Sequence, residues 1–349
     1  MESLASKYRP KTFKDVVGQE NIIKILTNQI ETGSFKQGYL FTGGAGTGKT
    51  TCARIFGADL DAEVVEIDAA SNNGVDNVRE IRERVKFKPM SKKYKVYIID
   101  EVHMLSTGAF NALLKTLEEP PAHAVFILAT TDPQKIPATV LSRVQRFDFK
   151  RMSVDKIRYR LTEIIHWENE YYEQHVQAKD FTHYLVEKDA LDYIAKLANG
   201  GMRNAISLLD TCLGYKNELE ITDIFEILGV SDYKDYLNTV AFLANKFPTD
   251  LLRKVGEVHI KGGDIKVFMN GLLEFIIELR KVHLTKSFEF TAIPSVYHED
   301  ITKLLEIIET VGGEELLNQW FVKLNDLHYR VKYEPNPKLL IEGELMALC

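Results

Sequence analysis

Cysteine is scarce. Cys52, Cys212 and Cys349 are the only three in 349 residues; they stand far apart, and none belongs to a CxxC pair or a Cys/His cluster. That spacing excludes a disulfide framework and a sulfur-ligated zinc site, and three unpaired thiols suit a reducing compartment. Long hydrophobic runs are also missing. Nothing approaches the roughly 18 apolar residues of a membrane span, and the opening MESLASKYRPK has no apolar core of a secretory signal. The expectation is a cytoplasmic protein with no membrane partner. No net positive charge is present either: 44 basic residues face 50 acidic ones, a net of −6. A protein coated all round for nucleic acid is excluded, though a local basic surface is not. Repeats and low-complexity tracts are absent.

What is present points to several domains. The chain is too long for one ordinary core, and its 45% hydrophobic and 27% charged residues are those of a globular protein. Up to about Met152 apolar strands alternate with helical stripes. Tyr39–Thr42, Val64–Ile67, Lys95–Ile99 and Val125–Ala129 read as strands; Lys49 to about Phe56, Asn77–Val85 and Gly108–Glu119 read as helices. This order predicts a parallel sheet flanked by helices. After Met152 the periodicity is helical: Lys156–Tyr172, Lys188–Asn199, Asn204–Leu213 and Ile221–Leu228, then Phe268–Arg280, Asp300–Thr310 and Glu314–Tyr329. The polar, aromatic-rich stretch around Tyr171–His183 reads as an inserted loop or helix extension and suggests no chemistry.

Two motifs carry chemistry. Gly43-Gly-Ala-Gly-Thr-Gly-Lys49-Thr50 fits G-x-x-x-x-G-K-[ST] between a strand and a helix. Glycines are needed because backbone N–H groups must all face phosphate oxygens, and the following helix adds its positive N-terminal end. Lys49 is expected to reach the β- and γ-phosphates of ATP, and the Thr50 hydroxyl to ligate Mg²⁺. Asp100-Glu101 ends a buried strand at the carboxyl edge of the sheet. Asp100 is expected to hold Mg²⁺ and Glu101 to orient or deprotonate the attacking water. A pure binder has no need of Glu101. His103 reads equally as a packing or capping residue.

Three further features leave alternatives open. Arg143 follows Thr139-Val-Leu-Ser142 and reads as a surface charge or as a functional cation. Arg203 opens a helix, where a cation opposes the dipole, so an offsetting anion is one reading and an ordinary surface residue the other. From Arg79 to Lys95 eight basic residues face only Glu80 and Glu83, a local net of +6. Arg79, Arg82 and Lys86 share one helical side and suit a DNA backbone; a solvated helix and turn is the alternative.

Tyr8–Phe13, Val17–Glu20, GGAGTGKT, Glu66–Asn72, IIDEVHMLS, FNALLKTLEEPP, LATTDPQK and Leu141-Ser-Arg143 together resemble the gamma/tau ATPase subunits of the bacterial DNA polymerase III clamp loader. The likeness is dense over residues 1–150, looser over 151–230, and rests mainly on helical character and length beyond. It implies an α/β P-loop AAA+ module (1–152), an all-α lid (153–231) and an all-α collar (232–349) that builds the ring. Tyr8, Arg9, Val16, Val17 and Gln19 would then line the adenine pocket, and Gly44, Ala45, Gly46, Thr47, Gly48, Lys49, Thr50 and Thr51 would cradle the phosphates. Thr131 would place the lytic water, Arg143 would act in trans on a neighbouring subunit's γ-phosphate, and Arg203 would report it from the lid. The implied partners are a sliding clamp, primer–template DNA, delta- and delta-prime-like subunits and further copies of the chain.

The chain departs from that pattern in places. Ser-Arg-Cys reads Ser142-Arg143-Val144, and Phe56–Glu63 runs straight to the next strand where the family carries a zinc module, so no zinc is expected. A compact gamma-like form or a virus-encoded relative, without the tau extension, is the expectation. The rival expectations are another DNA-remodelling AAA+ motor, such as a branch-migration helicase or an initiator, and a non-catalytic subunit of the same ring.

Overall fold

In a computed structural model the chain is described over residues 2–175, 183–229, 231–260, 264–291 and 293–349. Its packing divides it into two compact units. One comprises residues 1–181 with 194–210, and the other 182–193 with 211–349.

The first unit is built on a sheet. After α1 (Leu4–Lys7) and α2 (Glu20–Glu31) come β1 (Gly38–Thr42), α3 (Lys49–Asp59), β2 (Ala62–Asp68), α4 (Val75–Val85) and β3 (Tyr94–Asp100). Then follow α5 (Thr107–Glu118), β4 (Ala124–Thr130), α6 (Ala138–Leu141), β5 (Gln145–Asp148) and α7 (Val154–His175). The strands pair in parallel in the order β2-β3-β4-β1-β5. Central β4 (AVFILAT) is buried at every position, as a strand covered on both faces must be, whereas edge strand β2 alternates toward solvent. One layer of core packs α4 and α5 on one face around Tyr97, Phe110, Leu113 and Phe126. On the other face α2 and α3 bury Leu26, Phe41, Ile55 and Phe56. The order has a consequence for function: the carboxyl ends of β1, β4 and β3 lie side by side, so whatever follows those three strands meets at one edge.

The parallel sheet matches the expectation, with one strand more than the sequence pattern shows. Gln145-Arg-Phe-Asp148 is short and mostly polar, and it is a strand because its backbone pairs with β1, Tyr39 opposite Gln145 through Thr42 opposite Asp148. The four-residue α1 also has no periodic signature. α3 and β2 are joined by Leu60 and Asp61 alone, with Asp61 in a left-handed turn at φ 53.

The remaining elements are β6 (Leu185–Val186), α8 (Lys188–Leu197), α9 (Met202–Leu213), β7 (Glu218–Leu219) and α10 (Ile221–Leu228). They are followed by α11 (Tyr233–Ala244), α12 (Pro248–Ile260), α13 (Ile265–Thr285), α14 (His298–Val311), α15 (Gly313–Tyr333) and α16 (Pro337–Met346). One correction applies to the region expected to be all-α: Leu185-Val186 pairs in parallel with Glu218-Leu219. Two-residue strands are too short to leave a period-2 signal, so the pattern gives no hint of them. α7 carries the expected helix extension to His175; residues 176–182 of that stretch lie outside the described residues.

The second unit's core is helical, with Phe268, Phe275, Tyr297 and Trp320 fully buried among Leu, Ile and Val side chains. α13 packs along α15. Gly271 sits inside α13, where a glycine is ordinarily about 1 kcal/mol worse than alanine. The reason is contact: a Cβ there would come within 2.0 Å of the Tyr236 hydroxyl. Gly271→Ala, normally a stabilising change in a helix, is therefore predicted to destabilise the protein by roughly 1–3 kcal/mol through overpacking. Pairing it with Tyr236→Leu should recover most of the loss; thermal denaturation of the single and double variants reads this directly.

Candidate functional site

At the carboxyl edge of β1 the chain turns through Gly43–Gly48 into α3. The turn needs left-handed backbone at Gly46 (φ 72) and Gly48 (φ 101), which only glycine adopts without strain. Thr47 pins the loop by donating its hydroxyl to the Gly44 carbonyl at 2.9 Å. Gln19, buried behind the loop, donates to the Thr47 carbonyl (3.3 Å) and the Lys150 carbonyl (2.8 Å), while its own carbonyl accepts from Lys150 N–H. Lys49 opens α3 and is buried; its Nζ donates to the Gly43 and Gly44 carbonyls at 2.7 and 2.8 Å. Burial pushes its pKa down, and the Glu101 and Asp100 carboxylates oppose that shift.

The three adjacent strand ends converge here. Thr50 donates to Asp100 Oδ2 at 2.7 Å, joining the loop helix to the end of β3. Glu101 follows in a left-handed backbone conformation (φ 46) that a non-glycine residue adopts rarely and at a cost. Its Oε2 accepts from the Thr131 hydroxyl at 2.9 Å and the Thr131 N–H at 3.3 Å. His103 Nδ1 stands 3.2 Å from the same oxygen and 3.0 Å from Thr130 Oγ1. His103 therefore ties Glu101 to the end of β4, a position that the sequence alone leaves between packing and function.

A cleft of about 430 Å³ opens beside this cluster. Its wall includes Ala45–Thr51, Asp100 and Glu101, together with Tyr8, Arg9, Val16, Val17 and Arg203. Arg203 reaches it because α9 begins immediately after Gly201, where a Cβ would lie 2.8 Å from the Ala45 carbonyl. Arg9 donates through Nε to Thr51 Oγ1 at 3.1 Å, and burial, then neighbouring Arg54, lowers its pKa. Arg160, buried and also on the wall, carries no sequence signal that would have singled it out.

Four expected residues lie off the wall. Gln19 and Gly44 shape the loop from behind, and Thr131 acts on Glu101. Arg143 lies after α6, where it donates to the Thr139 carbonyl at 2.5 Å and to Glu118 Oε1 at 2.7 Å.

The basic stretch is more compensated than its sequence suggests. Arg79 pairs with Asp76, Arg82 and Lys86 with Glu83, Arg84 with Glu80, Lys92 with Asp61 and Lys95 with Glu63. Asp76 precedes the stretch by one helical turn of α4, whereas Asp61 and Glu63 come from before and within β2 and are brought in only by the fold. Phe87 and Met90 stand exposed beside it, at 70% and 104%.

The Thr50–Asp100 pair suits a small hard cation, since both donors are oxygens already aimed at one point. Among the described residues no group of three or more His, Cys, Asp or Glu side chains is placed to hold a metal ion. No helix among them is long and apolar enough to cross a membrane.

Comparison with known proteins gives consistent results. The family described as "DNA polymerase III, delta subunit" matches residues 59–153, and "DNA polymerase III subunits gamma and tau domain III" matches residues 219–349. DNA polymerase III subunit tau of Bacillus subtilis is 37% identical over the whole of this chain and 63% of its own length. The Escherichia coli tau subunit is 34% identical over 81% of this chain and 46% of its own length. A DNA polymerase III subunit gamma from Buchnera aphidicola is 31% identical over 99% of this chain and 98% of its own length. This chain thus spans roughly half to two thirds of the two tau relatives. Among solved structures, a RuvB variant of Thermotoga maritima superposes with a TM-score of 0.50 at 20% identity, over 74% of this chain and 86% of that one, which establishes a shared fold.

His103→Ala is predicted to lower steady-state ATP turnover by about tenfold, because Glu101 loses the imidazole that stands 3.2 Å from its carboxylate, with nucleotide Kd within twofold of wild type. Phosphate release and equilibrium binding measure the two; unchanged turnover would leave His103 a space-filling residue.

Proposed function

The chain belongs to the gamma/tau family of DNA polymerase III subunits, and from that membership and the geometry of its cleft we propose that it is an ATP-hydrolysing motor subunit of a sliding-clamp loader. The observation that carries the reading is the convergence of Lys49, Thr50, Asp100, Glu101 and Arg203 on one cleft, with Thr131 and His103 holding Glu101.

The loop amides and Lys49 bind the triphosphate. Lys49 exchanges its two carbonyl acceptors for phosphate oxygens, a move its single flexible stem allows. Thr50 and Asp100 would hold Mg²⁺, which would supply positive charge against the phosphates. Glu101 accepts the proton of the attacking water, and Thr131, bonded to that carboxylate, fixes its direction. Arg203 contacts the γ-phosphate from the N-terminal turn of α9, where the phosphate offsets the repulsion between a cation and the helix dipole.

Arg143 completes a neighbouring subunit's cleft. Its absence from its own cleft and its exposed position after α6 support an action in trans. An isolated subunit is accordingly slow, and differential contacts to ATP and ADP at subunit interfaces drive opening and release of the clamp on primer–template DNA. The residues divide functionally into the AAA+ module (1–152), the lid (153–231) and the collar (232–349), in a ring with delta- and delta-prime-like subunits and further copies of this chain. Arg79, Arg82 and Lys86 contact the DNA backbone. Each must first leave a carboxylate, which costs little because exposed ion pairs contribute only about 0–1 kcal/mol. The protein works in the cytoplasm.

Glu101→Gln is predicted to lower hydrolysis by at least about a hundredfold while ATP affinity stays within threefold, since the amide cannot take a proton. Turnover and binding are measured on the same preparation; equal rates for variant and wild type would replace the motor with a non-catalytic ring subunit.

A further inference from the structure

The second half of α7 has no role suggested by the sequence, yet it packs on the segment that supplies Tyr8 and Arg9 to the cleft. Trp167 stacks on Tyr8, with ring centroids 5.5 Å apart and planes at 22°. The Arg160 guanidinium lies 4.6 Å from the centre of the Trp167 ring. Glu168, 4% exposed, accepts from Lys7 Nζ at 2.7 Å, and the same ammonium lies 4.2 Å from the Tyr171 ring. Burial and the Glu168 carboxylate together push the Tyr8 phenol pKa up.

This clasp matters because the segment it holds cannot hold itself. α1 is a single turn of four residues, too short to persist without tertiary contacts, and the chain from Tyr8 to Thr12 belongs to no helix or strand. Its other anchors include Leu4 N–H, which donates to Asp210 Oδ2 at 3.1 Å, and Arg9, which donates to Thr51. Tyr8, Pro10, Val16 and Val17 nevertheless supply much of the apolar part of the wall, where a flat heterocycle is best accommodated. A buried carboxylate such as Glu168 must be paired, so the Lys7 bridge fixes the segment in place as well as in direction.

We propose that Trp167 and Glu168 are positioning residues of the nucleotide cleft: they hold Tyr8 and Arg9 as the wall against which the base and ribose lie. The inference rests on the ATP-binding reading above and specifies which part of the nucleotide α7 governs. Trp167 itself does not line the cleft and is not among the contacts of the phosphate loop, so base recognition and phosphate recognition are separable.

The test uses the full chain and compares ATP, GTP and inorganic tripolyphosphate, each with Mg²⁺, by calorimetry. Trp167→Ala should weaken ATP and ADP by about tenfold and reduce the preference for ATP over GTP, with tripolyphosphate affinity within twofold of wild type. Trp167→Phe should restore most of the affinity. Unchanged ATP affinity in Trp167→Ala overturns the proposal. So does a parallel loss of ATP and tripolyphosphate, which would mark a general loss of fold. If Trp167→Ala does not fold, Glu168→Gln decides on the same comparison, a threefold or greater loss confined to the nucleotides supporting the proposal and no loss overturning it. Failure of the wild type to bind ATP would instead remove the functional reading on which this one stands.

Discussion

The hydrogen bond from Thr50 to Asp100 exists because β1 and β3 flank β4 with all three running the same way. Every other feature of the cleft depends on that order. It brings the loop after β1, the carboxylates after β3 and Thr131 after β4 to one edge, though Gly43 and Thr131 are 88 residues apart in sequence. Close placement has an electrostatic cost. Lys49, Asp100 and Glu101 share a partly buried volume in which each charge is held by its neighbours, and Glu101 stands in an unfavourable backbone conformation. A glycine loop that holds a buried Lys49 beside a strained Glu101 is suited to a polyanionic ligand.

Much of this is legible in the amino-acid sequence, and the parts that are not share a cause. Gly43–Thr50 and Asp100-Glu101 announce their chemistry because it requires particular residue types at fixed spacing on a strand end. β5, by contrast, is a strand only through its partner; Gln145-Arg-Phe-Asp148 has no pattern of its own. The same holds for the β6–β7 pair. The role of His103 depends on a distance to Glu101 and Thr130 that no local pattern encodes. The basic stretch shows the reverse error: +6 along the sequence is halved to +3 by Asp76, one helical turn upstream, and by Asp61 and Glu63, which the fold returns from far outside the stretch.

Two groups of contacts tie helical parts of the first unit to the cleft. Gly201 allows α9 to approach the Ala45 carbonyl, carrying Arg203 to the wall of the cleft, and α7 clasps the segment that bears Tyr8 and Arg9. Both are close-packed junctions rather than flexible tethers. A shift of either helix therefore alters the wall of the cleft, and a bound nucleotide biases both helices in return.

The proposed motor depends on a cleft shared between copies, one providing the cradle and Glu101, the next providing Arg143. The most direct measurement is complementation within the ring: subunits carrying Arg143→Ala are mixed with subunits carrying Glu101→Gln, and ATP turnover is followed with the partner subunits present. Each variant alone should be nearly inactive, whereas the mixture should regain a substantial fraction of wild-type turnover, because some interfaces then join an intact cradle to an intact arginine. A mixture no more active than either parent would contradict a shared cleft.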